Sequence, residues 1–332
     1  MAQILITYSV PTDPILRQIP KRLASWCSHE FSLAPMGTPI DAWIVYDNLL
    51  GSETNPIERN RTMLITGEPP SVRRYRSVFT SQFGSVRTSH TSIQHPNIVR
   101  GHECQPWHFG MHPCRTHSQV LDYDSLASMM PPSKSKLLSV ISSNKVVTED
   151  HRQRLRFVEQ LKSTFGEQIE VFGRGIRDVP DKADAIWEYK YHIALENDHS
   201  EYYMSEKLPD GFLGWSFPFY AGSKLADRLF PRGSFARIDM YDPARSIATI
   251  QAHLHSNSYE RNLPIISQAR RTVLDELNLF AVLCKAYDSM DARTEVRCRT
   301  ISGSVKTTTL LPKKNSVRLS VRRLMRAISL AA

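Results

Sequence analysis

"YKYHIALENDHSEYYMSEKLPDGF", Tyr189–Phe212, decides the reading of this chain. Tyr191-His192-Ile193-Ala194-Leu195 is an apolar run of strand type, and it gives way at once to Glu196, Asn197, Tyr203, Glu206 and Lys207. A stretch so dense in hydrogen-bonding groups is ordinarily a solvated loop. In an open α/β sheet, however, the segment that leaves the carboxyl end of a strand faces the ligand crevice. Ser205 suits the start of a following helix, which would set Glu206 and Lys207 beside unpaired backbone N–H groups. A helix N-terminus with a lysine next to it favours a diphosphate. Glu206 would repel phosphate, but a carboxylate matches the paired hydroxyls of a ribose. The segment therefore predicts a nucleotide diphosphate site.

The same alternation extends in both directions. Upstream, "QILITY" (Gln3–Tyr8), "AWIVYD" (Ala42–Asp47) and "TMLIT" (Thr62–Thr66) are strand-like. After the Pro/Ser/Lys-rich stretch "MMPPSKSK" (Met129–Lys136) the pattern restarts with "LLSVISS", "IEVFG", "YHIAL" and "FPFYAG". A helix is expected after "LLSVISSNK": Thr148 caps it, Glu149 and Asp150 suit its first turn, and Leu155, Val158, Leu161 and Phe165 recur at helical spacing. Strands alternating with helices imply parallel α/β sheets. The length fits roughly two domains, here 1–133 and 134–312, Rossmann-like halves facing across a cleft, followed by a tail, 313–332. No P-loop, G-x-G-x-x-G or G-x-S-x-G pattern is present, and "FGRG" (Phe172–Gly175) alone is a weak sign of close backbone approach.

The formal charge is +9, yet nine Lys or Arg without one Asp or Glu lie between Val296 and Ala332. Removing those nine from the 42 basic residues leaves 33, equal to the 33 acidic ones, so the body is neutral and no nucleic-acid partner is expected. Five cysteines without short paired spacing fit reduced thiols. "HECQPWHFGMHPCRTH" carries His102, Cys104, His108, His112, Cys114 and His117, but the spacings match no usual zinc framework, and no metal is expected. No apolar run approaches the roughly 20 residues of a membrane span, and the first residues lack signal-peptide order, so a cytosolic location is expected.

"YKYHIALEN", "YYMSEKLPDGFLGWSFPFYAG" and "FPRGSFARIDMYD", with "SVISSNK", "HRQRLRFVEQL" and "VFGRG" before them, resemble the donor-binding signature of the α1,3/4-fucosyltransferases, glycosyltransferase family 10. The resemblance covers about Leu137 to Asp242. It implies a two-domain GT-B fold, GDP-fucose as donor substrate rather than a cofactor, and inversion at the anomeric carbon. It further implies that Arg154 and Lys207 grip the diphosphate, with Tyr203 hydrogen-bonding beside them. Glu206 would hold the ribose and Asn197 would lie near the sugar and phosphates. Glu68, in "RTMLITGEPPSV", would be the general base. Ser205 stands where the family has Thr, and Pro209 is unusual there, so the start of that helix departs from the family pattern. The chemistry needs no metal, because Arg154 and Lys207 can neutralise the departing GDP.

The expected acceptor is an oligosaccharide or glycolipid, as in a surface or lipopolysaccharide glycan. Two other readings stand beside this one: a non-catalytic protein of the same fold that binds a nucleotide sugar or glycan, and a kindred transferase using another nucleotide sugar. In the tail, Val317, Val321, Leu324 and Ile328 share a helical face beside Arg318, Arg322 and Arg326. That pattern predicts a helix lying on an anionic membrane surface, and hence a peripheral position on the inner face of a membrane.

Overall fold

The computed structural model describes residues 1–10, 14–34, 39–146, 148–297 and 308–310. The expected membrane-surface helix at 313–332 lies outside them. The chain forms two compact units, Met1–Glu103 together with the segment from Leu279, and Cys104–Asn278. This division differs from the one expected at 133/134. Trp107 and Leu126, upstream of the Pro-rich stretch, are buried in the same core as Leu138 and Phe157, so the stretch lies within a unit instead of between two.

The first unit is built on β1 (Ala2–Tyr8), β2 (Ser25–Trp26), β3 (His29–Ser32), β4 (Ala42–Tyr46), β5 (Glu53–Asn55), β6 (Thr62–Ile65), β7 (Ser85–Thr88) and β8 (Ile98–Arg100). Seven of these form one sheet in the order β2-β3-β1-β4-β6-β7-β8, parallel except for the β2–β3 pair. Every residue of β4 and β6 is buried, as expected for central parallel strands covered on both faces. Helix α1 (Ser77–Thr80) packs Phe79 into a core with Trp43, Leu64 and Phe83.

The second unit opens with α2 (Tyr123–Ser128) and continues through β9 (Lys136–Ile141), α3 (Glu149–Phe165), β10 (Ile169–Phe172), α4 (Ala183–Ile186), β11 (Tyr189–Leu195), α5 (Lys207–Leu213), β12 (Phe217–Ala221), α6 (Ala226–Leu229), β13 (Ala236–Arg237), α7 (Pro243–His255) and α8 (Ser258–Arg271). Its five strands are all parallel in the order β10-β9-β11-β12-β13. Leu138, Val140, Ile193 and Phe219 from the sheet meet Phe157, Val158, Leu161 and Phe212 from the helices in one core. The chain then returns to the first unit as α9 (Leu279–Arg297). There Phe280 packs edge-on against Phe31, and Tyr287 lies against His29. A last short strand, β14 (Thr308–Leu310), pairs antiparallel with β5. Among the described residues no helix is long and apolar enough to cross a membrane.

The expected strands and the Thr148-capped helix are all present. The Thr148 hydroxyl accepts from the His151 N–H at 3.2 Å, and Val158, Leu161 and Phe165 are buried. "FGRG" serves the chain itself. Gly173 has φ +129°, and a Cβ there would lie 2.3 Å from the Ser142 carbonyl oxygen, so the close approach is between the ends of β10 and β9.

Candidate active site

In the second sheet the chain leaves β9, crosses through α3 to β10 on one side, and then returns past β9 to β11 on the other. The carboxyl ends of β9 and β11 thus flank a topological switch point, where open α/β sheets place their ligand crevice. Ser142 and Ser143 follow β9; Glu196 and Asn197 follow β11. Arg154 spans the two ends. It is 3% exposed, donates from Nη2 to the Ser143 carbonyl at 2.9 Å and from Nη1 to Asn197 Oδ1, and burial lowers its pKa. Ser142 Oγ, His151 Nε2, Arg154 Nε and His199 Nε2 are buried without a hydrogen-bond partner. Such groups are rare in folded proteins, and four of them on the loops and helix around one switch point suit a polar ligand.

Cationic charge converges on the same place. His151, whose Nδ1 lies 2.6 Å from the Thr148 hydroxyl, is pushed down to about 4 by burial and then by Arg154, Lys145 and Lys207. Arg154 and Lys207, chosen from separate motifs, therefore act on one imidazole. Lys207 Nζ donates to Ser205 Oγ at 2.9 Å and lies 3.4 Å from Glu196 Oε2. Glu196, fully buried, also accepts from the Ser205 N–H at 2.8 Å and hydroxyl at 2.6 Å.

The start of α5 differs from the expectation. The helix has seven residues, and the Ser205 hydroxyl already accepts from the Lys207 N–H at 3.3 Å. The attraction for an anion thus rests on side chains more than on a helix terminus. Pro209 is accommodated because the first turn has no intrahelical acceptor for its missing N–H.

Glu206 is held from one side. Lys182 Nζ at 2.7 Å, His108 Nδ1 at 3.6 Å and Lys207 Nζ at 3.7 Å all address its Oε1. Burial alone would raise its pKa; Lys182, Lys207 and His108 overcome that and hold it well below the usual carboxylate range. Lys182 also reaches Asp210 at 2.7 Å, and Asp210 in turn accepts from the N–H groups of His108 and Phe109 at 3.0 Å. Tyr203 is buried, and its hydroxyl accepts from Gln105 Nε2 at 3.4 Å.

Arg154, Asn197, Tyr203, Glu206 and Lys207 thus all belong to the second unit. Glu68 belongs to the first, just past the carboxyl end of β6. Its carbonyl lies 2.8 Å from His90 Nε2, and its N–H donates to the Tyr75 hydroxyl at 3.3 Å. Tyr75 and Arg73 both donate to Asp47. Arg73 keeps its charge: burial lowers its pKa, but Asp47, Tyr75 and Glu68 more than reverse that.

His151, Lys182, Asp210 and Ser143 are not among the expected site residues. Lys182 pairs with Glu206 across 24 positions that no local pattern connects. His151 has a local signal, since Thr148-x-x-His151 sets the imidazole on the capped turn that carries Arg154.

Residues 131–295 match the family described as "Glycosyltransferase family 10 (fucosyltransferase) C-term". Among curated proteins, alpha-(1,3)-fucosyltransferase 4 of Mus musculus is 31% identical over 115 residues, 32% of this chain and 26% of that protein. The Homo sapiens protein of the same name is 33% identical over 116 residues, 32% of this chain and 22% of the relative. The match thus spans about a quarter of those relatives' length. A solved structure of an alpha1,3-fucosyltransferase with GDP aligns over 90% of this chain and 91% of its own, with a TM-score of 0.51 and 15% identity, a likeness of fold. With two parallel-sheet units, that likeness gives the GT-B class. Residues 131–295 thus form a domain of glycosyltransferase family 10.

Proposed function

We propose that this chain is an inverting fucosyltransferase that moves fucose from GDP-fucose to a hydroxyl of a glycan acceptor, in α1,3 linkage, on an oligosaccharide or glycolipid. The observation that carries the reading is the Arg154 bridge between the carboxyl ends of β9 and β11, with unpartnered buried polar groups around it. The names of the relatives supply the sugar, and the solved structure of similar fold, an alpha1,3-fucosyltransferase with GDP, supplies the nucleotide.

In this reading the acceptor oxygen attacks C1 of fucose as the bond from C1 to the β-phosphate oxygen breaks. Glu68 takes the acceptor proton, and GDP departs with the bond's electrons. Arg154 and Lys207 meet the charge that accumulates on the diphosphate, each contact contributing about 3 kcal/mol in a site that excludes water. The Glu206 oxygen not addressed by Lys182 accepts from the ribose hydroxyls, Tyr203 hydrogen-bonds beside the phosphates, and Asn197 lies near the sugar. The residues supply this charge stabilisation themselves, so no metal takes part in the scheme.

The decisive experiment has two stages. Purified protein is melted with GDP-fucose, GDP-mannose and UDP-glucose; at about 100 times Kd the preferred donor should add about 2.7 kcal/mol of stability. Transfer of labelled fucose to a panel of oligosaccharide acceptors is then measured. Preference for another nucleotide sugar would overturn the donor assignment, and donor binding without transfer to any acceptor or to water would favour the non-catalytic reading.

A further inference from the structure

The Cys/His-rich stretch 102–117 is dispersed by the fold: His102 lies in the first unit, His108 turns to Glu206, and His112 is exposed. Cys114 and His117 remain together, and Asp181, from the loop before α4, joins them. A ligand atom from each, the Cys114 sulfur, a His117 ring nitrogen and an Asp181 carboxylate oxygen, all lie within 4.8 Å of one another. The His117 side chain is 10% exposed. Its Nδ1 sits 2.6 Å from the Gln119 carbonyl, which makes that nitrogen the donor and leaves the Nε2 lone pair free. Nε2 is buried without a hydrogen-bond partner and points to Asp181 Oδ1 at 3.8 Å.

The surroundings prepare the other two groups. Asp181 accepts from the N–H groups of Gly110 at 2.8 Å, Ala183 at 2.8 Å and His112 at 2.9 Å. These fix the carboxylate and leave one of its roughly four acceptor positions. The Thr116 hydroxyl lies 3.1 Å from Cys114 Sγ. An imidazole oriented by a carbonyl and a carboxylate oriented by N–H groups are the outer-shell supports that metal ligands require.

We propose that Cys114, His117 and Asp181 bind a zinc ion, with water as the fourth ligand. One sulfur, one nitrogen and one oxygen donor suit Zn²⁺ and not Ca²⁺ or Mg²⁺, which take oxygen. Bond lengths of about 2.0–2.3 Å bring tetrahedral ligand atoms to roughly 3.3–3.8 Å, so the cluster closes by about 1 Å on binding. The thiol proton leaves to solvent as the zinc–sulfur bond forms. Zinc fastens the Cys114–His117 turn to the loop before α4 within the second unit. The usual spacing rules do not reveal such a site, because its third ligand lies 64 positions beyond His117.

The test uses the full chain, made without a metal-affinity tag, stripped with chelator and titrated with Co²⁺ as an optical probe. One equivalent should produce a thiolate-to-metal charge-transfer band, Zn²⁺ should abolish it by displacement, and Zn²⁺ alone should raise Tm. In Cys114→Ser the band should vanish, and His117→Ala should weaken Co²⁺ binding by at least about a hundredfold, since loss of an outer-shell group alone costs about 10–100-fold. A folded wild-type chain that gives no band, or a band that persists unchanged in Cys114→Ser, would overturn the site. Because the wild-type titration needs no variant, misfolding of a substituted chain leaves that result decisive.

Discussion

At the residue scale, the site is defined by how few charges are left to meet a ligand. Lys182 is paired with Glu206 and Asp210, whereas Arg154 spends its contacts on a carbonyl and an amide oxygen, both neutral. Arg154→Ala should therefore slow transfer by about a hundredfold or more, with weaker GDP binding in calorimetry, and Lys207→Ala should do the same although Lys207 also faces Glu196 and Glu206. A folded variant with unchanged kinetics would remove that residue from the site. Glu206→Ala should raise the donor KM for GDP-fucose, and the penalty should disappear with a donor that lacks both ribose hydroxyls. A penalty that persists with that donor would show that Glu206 acts by holding Lys182 and Lys207. For Glu68→Gln the expected loss is about 10² to 10⁴ in rate with donor affinity retained, the range of a positioned general base. Wild-type rates across pH would assign the proton to another group. The motif residues Asn197, Tyr203, Glu206 and Lys207 are legible because all lie within the segment Tyr189–Phe212. Lys182 and Asp181 are not, since their partners are brought to them by tertiary packing.

At the element scale, β11 carries both the site and a pH liability. His192 lies inside the sheet at 2% exposure, with Nδ1 2.9 Å from Ser139 Oγ on β9. Burial, then Lys182 and Lys134, push it down to about 3 from its usual 6.5. The folded state thus leaves it neutral, while the unfolded chain takes up a proton below about pH 6.5. Stability is present above that pH and is lost as pH falls toward the folded value, at up to about 1.4 kcal/mol per pH unit. His192→Gln should reduce the slope of denaturant midpoints between about pH 6 and 5, a slope to which His102 and His151, also pushed down by burial, contribute as well. A slope identical to wild type would show that His192 is not a source. The strands and the capped helix α3 are readable from local periodicity and capping chemistry. The true length of α5 is not, because Glu196 competes for Ser205 from across the loop.

At the scale of the whole molecule, the excess charge lies where the sequence concentrates it, between Val296 and Ala332, and we propose that this end meets an anionic membrane surface. Each basic residue near such lipid is worth about 1 kcal/mol. Full-length protein should sediment with anionic vesicles, release at high salt, and lose binding when the chain ends at Pro312. Equal binding by the shortened chain, or its failure to fold, would assign the segment to the body. The division into units is only half legible: the restart of strands after Met129 is real, but the burial of Trp107 and Leu126 draws the residues before it into the second core.

Strand β3 contributes His29 and Phe31, and the residues packed against them, Tyr287 and Phe280, arrive on α9. The chain leaves the first unit at Glu103 and rejoins it at Leu279. During synthesis, which runs from the amino end at about 5–20 residues per second, the second unit has all its strands before α9 has left the ribosome. Of the two units, the one begun first is thus the one finished last. Until then, Phe31 and the hairpin of β2 and β3 wait uncovered, and that interval is when a nascent chain has most need of a chaperone.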